Sequence, residues 1–420
     1  MYSLLARFRV QDYLKINISG STVFMLSALI VNAGNYLYNV FLGRTVSPEI
    51  FAETGLLVTL LLILSFLGMT FQLVTAKYIV EIAAIDRRAF QKTLSWISIA
   101  SGVVLGGLIW FFSPALTSFL NLSEASSIRA LVLGIPFYFY LSVMRGFIQG
   151  QEQFVKLSIS YQAEMLSRFL ITILLIYGLG LSEAISVALS ISASIIIGAL
   201  TCGKPLVDLW PRKFPGMKAL VVFFLFTSGY ELVQMLTNYF DLILVKHYFS
   251  EEMAGLYTAL SLIGRMIYFI TWMFVMLLIP AVVNKRKEGK PYQHLLNTYL
   301  KYIGFLIAAS VAVCVICPEF IVSSIFGKSY LSIGQYLWMY ALATGMLALG
   351  NIFTYYYLSL GNYKPVMIMG LFAVIQMITI TFFHDSFYQI IYLQIIYMGL
   401  ALIGLVGYHY VECRDQKTII

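Results

Sequence analysis

Most charged residues of this 420-residue chain fall in short breaks between apolar runs about as long as a bilayer is thick. A helix needs about 20 apolar residues, at 1.5 Å per residue, to cross the hydrocarbon region. Runs of that length cover 19–42, 52–75, 94–114, 128–149, 157–178, 183–202, 219–245, 254–283, 299–323, 332–359, 364–383 and 386–409. The breaks between them are too short for a soluble domain, which takes about 50 residues or more. Hydrophobic residues make up 60% of the chain and charged residues 11%, against about 45–50% and about 25% in ordinary globular proteins. No water-soluble fold covers that much apolar surface. The pattern predicts an all-α polytopic membrane protein of about 12 transmembrane helices.

The basic residues orient this map. Of the 27 Lys and Arg, Arg44, Arg129, Lys246 and Lys328 fall on the side opposite the N-terminus, and Arg168 and Arg265 fall mid-span. The remainder, Arg145 among them, fall on the N-terminal side. The positive-inside rule then puts both termini in the cytoplasm. The net charge of +8 belongs to those loops, so no nucleic-acid partner is expected. Residues 1–18 are basic with some helical periodicity (Leu4, Leu5, Phe8), which suits an interfacial helix. They show no small-residue cleavage site, so the first span is expected to be retained.

Nothing in the sequence suggests bond-making chemistry. Cys314 and Cys317 have C-x-x-C spacing, but they sit in an apolar run without a histidine, as small residues packed in a helix do. His247, His294, His384 and His409 have no metal-ligand spacing, and there is no Gly-rich phosphate loop with its lysine. The expectation is a non-enzyme with no metal and no cofactor. An ion gradient, the membrane potential or substrate flow would drive it.

Sliding the chain on itself by 203 residues aligns 35–71 with 238–274 without gaps. The identities are Asn35/Asn238, Tyr36/Tyr239, Ser47/Ser250, Glu49/Glu252, Leu57/Leu260, Phe66/Phe269 and Phe71/Phe274. The polar matches fall at the outer ends of spans one and seven and in the loops that follow. Two parallel six-span lobes follow from this, a transporter architecture. The expected organisation is an N-terminal segment (1–18), an N-lobe (19–202), a cytoplasmic linker (203–218), a C-lobe (219–409) and a cytoplasmic tail (410–420).

Three stretches carry a family resemblance. Arg145-Gly146-Phe147-Ile148-Gln149-Gly150, followed by Glu164 and Arg168, resembles the loop and fifth span of bacterial oligosaccharide flippases. Asp241 through Lys246, His247, Gly255 and Tyr257, with Arg265 beyond, resembles their seventh-to-eighth span hairpin. Leu42-Gly43-Arg44 through Ser47-Pro48-Glu49 and Phe51 is similar to their first hairpin loop, except that Ala52 stands where the family usually has Gly; its repeat partner Gly255 keeps the glycine. These are polysaccharide-transport proteins of the multidrug/oligosaccharidyl-lipid/polysaccharide exporter superfamily. The resemblance implies twelve or fourteen spans in two six-helix lobes around a central cavity, a bacterial plasma (inner) membrane location and a lipid-linked oligosaccharide substrate on undecaprenyl diphosphate; the repeat and the charges within spans point to alternating access. Membrane lipid and, as further partners, a glycan polymerase or glycosyltransferases follow from it. The rivals are a drug exporter of the same superfamily, a membrane glycan polymerase or ligase, and a non-transporting scaffold for glycan assembly. Short outer loops with few titratable groups argue against the enzyme.

Charges inside spans cost roughly 2.5–3.5 kcal/mol each at the helix centre, so they face partners or water. Arg265, near the midplane of span eight, is the first candidate to grip an anionic head group, because a guanidinium stays charged and holds phosphate bidentately. The alternative is a structural ion pair between lobes, with Asp241 or Glu231. Arg168 lies at similar depth, and Glu164 is one turn from it on the same face; this pair contacts substrate or only pins packing. Asp241 and Glu231 are either sites of ion coupling or counter-ions. Asn32, Asn35, Asn39, Gln72, Gln234 and Asn238 either line a polar cavity or bond across helices. Pro136 and Pro280 are expected to kink spans four and eight.

Overall fold

The computed structural model describes residues 20–82, 85–203, 217–287, 291 and 293–418. The segment 1–18 and most of the 203–218 linker lie outside the described residues. The remainder is helical: α1 (Gly20–Thr45), α2 (Pro48–Glu81), α3 (Arg87–Phe111), α4 (Ser113–Phe119), α5 (Ala125–Val132), α6 (Ile135–Gly150), α7 (Phe154–Ile173) and α8 (Glu183–Thr201), then α9 (Met217–Tyr248), α10 (Glu251–Lys287), α11 (Gln293–Ile316), α12 (Pro318–Ile325), α13 (Gly334–Ser359), α14 (Lys364–Phe382) and α15 (Phe387–Thr418). Among the described residues, eleven segments are long and apolar enough to cross a membrane. The 37-residue α10, whose 256–283 stretch carries only the charge of Arg265, completes twelve crossings. The chain is an all-α, multi-pass membrane protein. Its two ends are called inner and outer below, following the loop charges.

Where the helices break, the reason is local. The fourth apolar run is not one kinked helix but two, α5 and α6, interrupted at Leu133 and Gly134, with Pro136 in the first turn of α6. Proline suits a first turn, where its missing N–H is not needed. The carbonyls released by the break are not left bare: Ser192 Oγ of α8 donates to Ala130 O at 2.7 Å and to Leu131 O at 3.2 Å. Spans three and nine each end in a separate short outer helix, α4 and α12, and each of these carries a proline in its first turn, Pro114 or Pro318. Hydropathy alone does not reveal these steps. Helix α10, by contrast, runs unbroken through Pro280.

Packing separates two groups. Helix α6 lies against α2 and α3, α7 against α8 and α1; α13 lies against α10, α11 and α15, and α14 against α15. Helices α2 and α6 approach through Gly146, where a methyl group would strike the backbone of Gln72, the small-residue contact typical of spans in lipid. Helix α2 bridges the groups, lying along both α9 and α10. The repeat predicts a second contact of the α2–α9 kind, between α10 and α1. That pair barely touches, which leaves α1 held mainly by α7 and open along its other side.

Candidate functional site

Two clusters of buried charge sit inside the bundle, one in each group of helices. In the first, Glu164 of α7 lies between two arginines: Arg145 Nη2 is 2.8 Å from Glu164 Oε2, and Arg168 Nη2 is 2.6 Å from Glu164 Oε1. All three residues are buried. Arg145 also donates from Nε to Ser160 Oγ and from Nη2 to Ser160 O, both at 3.0 Å, and its guanidinium lies 3.8 Å from the Tyr161 ring centroid. Tyr161 OH donates to Gln72 Oε1 at 2.9 Å, and Gln72 Nε2 donates to Gln149 Oε1 at 2.8 Å. Two cations face one carboxylate, so the cluster carries a surplus positive charge. Arg168 Nε is buried without a hydrogen-bond partner.

The second cluster is electrically balanced. Arg265 Nη2 of α10 lies 2.9 Å from Asp241 Oδ1 of α9. Tyr257 and Tyr340 donate to Asp241 Oδ2 at 3.0 and 2.7 Å, and the Arg265 guanidinium sits 4.5 Å from the Tyr239 ring centroid. Asp241 is about 10 Å below the end of α9 and Arg265 about 21 Å below the start of α10 at 1.5 Å per residue. The pair still meets, because side chains on a helix lean toward its N-terminus, which for α10 is the outer end. The sequence left open an ion pair between lobes; the observed pair is instead internal to α9 and α10. Arg265 also borders a small polar cavity with Thr237, Asn238, Thr344 and Gln394.

The two clusters share no residue, so Arg168 and Arg265 do not act on one another directly. Tyr38, which occupies the repeat position of Asp241, is hydrogen-bonded to Thr172 at 2.9 Å, one turn from Arg168. The repeat therefore preserves position but not charge. Asn32, Asn35 and Asn39 fall on one face of α1 at i, i+3 and i+7. Asn32 is exposed, Asn35 Oδ1 is buried without a partner, and Asn39 Nδ2 donates to Asn35 O at 2.9 Å. The same face carries Gly43, which abuts Phe326 after α12. Glu231, Gln234, Asn238 and Asp241 form a similar row along α9. Gln234 bonds Asn351 at 2.9 Å and Asn238 Nδ2 bonds Gln234 O at 2.8 Å. Half-buried Glu231 belongs to none of the ion pairs among the described residues.

Arg145 is the residue that sequence reasoning missed. Its place near the end of a span reads as a cytoplasmic charge, and only the placement of Ser160 and Glu164 on α7 shows it turned inward. Its position four residues before Gln149, one helical turn, is the signal that was present.

The outer end is closed by a pair of related contacts. Arg44, at the end of α1, donates to the carbonyls of Ser324 and of Ile325, the latter at 2.6 Å, where α12 ends. His247, at the repeat-equivalent position in α9, donates from Nδ1 to the carbonyl of Phe119, where α4 ends. Asn121 Nδ2 adds bonds to Lys246 O and His247 O at 3.2 and 3.0 Å. Each lobe thus caps the C-terminal carbonyls of the other lobe's short outer helix, which cations and N–H donors stabilise. Between these clasps, Gly255 of α10 lies so close to Pro48 of α2 that a methyl group would overlap the proline carbonyl.

This architecture has known counterparts. A multidrug resistance MATE family transporter of the MOP superfamily, in an inward-facing conformation, superposes with a TM-score of 0.76 at 14% identity, covering 92% of this chain and 96% of that one. The lipid II flippase MurJ, in an inward closed conformation, gives 0.76 at 14% identity over 92% of this chain and 87% of that one. An uncharacterized membrane protein of Haemophilus influenzae is 24% identical over 358 residues, covering 82% of this chain and 83% of its own. The chain shares its fold with both transporters. Residues 41–335, well over half of the chain, match the polysaccharide biosynthesis proteins, and the chain belongs to that family.

Proposed function

We propose that this protein carries a polyprenyl-diphosphate-linked oligosaccharide from the cytoplasmic to the outer leaflet by alternating access. The observation that carries this reading is the surplus buried cation of the Arg145–Glu164–Arg168 cluster, with Arg168 Nε unpaired. Uncompensated buried charge is costly, and an anionic head group relieves it. Arg265 is already neutralised by Asp241. The preferred grip on diphosphate therefore moves from Arg265 to Arg168, while Arg265 and Asn238 border a separate small polar cavity. The N-lobe (19–202) and C-lobe (219–409) rock against one another, with both termini cytoplasmic. The open side of α1, lined by Asn32 and Asn35, lets the sugar enter while the tail stays in the bilayer.

Arg168→Ala tests this directly. It leaves Arg145 and Glu164 as a balanced pair, so folding should survive. Complementation of a flippase-null strain, and translocation of lipid-linked oligosaccharide in proteoliposomes, should fall at least about tenfold, the effect of losing a charge-assisted contact worth about 1.5–3 kcal/mol. Wild-type translocation by this variant, or a wild-type protein that exports cationic drugs and not the glycolipid, refutes the reading.

With Asp241 engaged, Glu231 is the remaining candidate for ion coupling. Glu231→Gln is expected to abolish the response of transport to an imposed proton gradient while leaving substrate binding unchanged. An undiminished response would remove Glu231 from that role.

A further inference from the structure

A groove of about 710 Å³ opens on the outside of the N-terminal helices, between α3 and α8, with α6 as its floor. Its walls are largely apolar, and Val103 on α3, Phe137 on α6, and Ile196 and Leu200 on α8 are all exposed. In a membrane-spanning chain this face meets hydrocarbon, not water. The inner end is different. Gly203, the last lining residue, lies beside Lys156 of α7, whose Nζ is 3.2 Å from where a Cβ on Gly203 would stand. No ion pair among the described residues uses Lys156. A hydrocarbon slot capped at the inner end by an ammonium that belongs to no ion pair among the described residues matches one ligand chemistry, an acyl chain joined to a phosphate.

We propose that this groove binds an anionic phospholipid of the inner leaflet, with its acyl chain along α8 and α3 and its phosphate on Lys156. The site is separate from the transport route proposed above. The open side of α1 adjoins α10, and α1 packs on α7 and α2, not on α3. The lipid is therefore a resident of the N-terminal lobe and not the tail of a passing substrate.

Trp96 reports on this site. It is exposed on α3, one turn inward of groove-lining Ile99 on the same face. In full-length protein with Trp110, Trp210, Trp272 and Trp338 replaced by Phe, phosphatidylglycerol with brominated chains should quench Trp96 at about fivefold lower mole fraction than brominated phosphatidylcholine. That is the preference one lysine near an anionic lipid supplies. Lys156→Gln should erase the difference, and Ala199→Phe, which fills the inner half of the groove, should do the same. Identical curves for the two lipids in the unaltered groove mean ordinary boundary lipid, and no quenching by either means a face covered by protein; both overturn the proposal, as does a preference that survives Lys156→Gln. Native mass spectrometry of the chain with all its tryptophans gives a second readout, with retained phosphatidylglycerol expected to be lost in Lys156→Gln.

Discussion

Glu164→Ala is expected to destabilise the protein by about 3–5 kcal/mol, the cost of removing one partner from a buried ion pair. The effect should sit at the top of that range, because the single carboxylate serves two arginines, Arg145 at 2.8 Å and Arg168 at 2.6 Å. Without it both guanidiniums remain buried beside each other with no negative charge between them. Ser160 and the Tyr161 ring still hold Arg145, but they do not neutralise it. Thermal unfolding in detergent measures the loss. A double-mutant cycle with Arg168→Ala then separates the pairwise part: the second substitution should recover much of what the first removed. A Glu164→Ala protein that melts like wild type would show that something other than this carboxylate balances the cluster.

Gly255→Val is expected to force open the outer seal. The obstacle is the carbonyl of Pro48, part of the backbone in the first turn of α2, so no side chain can swing aside. Overpacking of this kind costs about 1–3 kcal/mol. Applied to the closed state alone, it shifts the balance between closed and open forms by roughly 5–150-fold. Spin labels at Ser47 and Lys328, both exposed at the outer end in different lobes, should report a longer distance. Arg44→Ala provides the milder comparison. It removes a cation from the end of α12, worth about 0.3–1 kcal/mol at an exposed helix terminus, and should move the same distribution less. An unchanged distance in a folded Gly255→Val protein would mean that the crossing of α2 and α10 does not control closure.

The crossings were legible because lipid leaves the chain little choice. Backbone groups in hydrocarbon must bond within a helix, so an apolar run of sufficient length has one outcome. What hydropathy conceals are breaks that keep the polarity constant. The interruption at Leu133–Gly134 and the step into α4 lie within largely apolar sequence, and at the step into α12 Glu319 is the one charge. The candidate site was legible in residue type and less so in pairing. Glu164 and Arg168 share a helix, so their spacing alone brings them together. Asp241 and Arg265 lie 24 residues apart around a turn, and Glu231 was an equal rival until tertiary packing placed Tyr257 and Tyr340 around Asp241. Arg145 depended on a neighbouring helix for its partners, Ser160 and Glu164, and its one-turn spacing to Gln149 hints only at a shared face.

The surplus charge of the Arg145–Glu164–Arg168 cluster sets stability against activity within a few ångströms. Losing Arg168 would relieve an unmatched cation, whereas losing Glu164 would create a second one. Directed evolution for survival in detergent, run blind to transport, should therefore tolerate or even enrich substitutions at Arg168 while purging those at Glu164. The hardiest variants from such a screen would then be the idle ones.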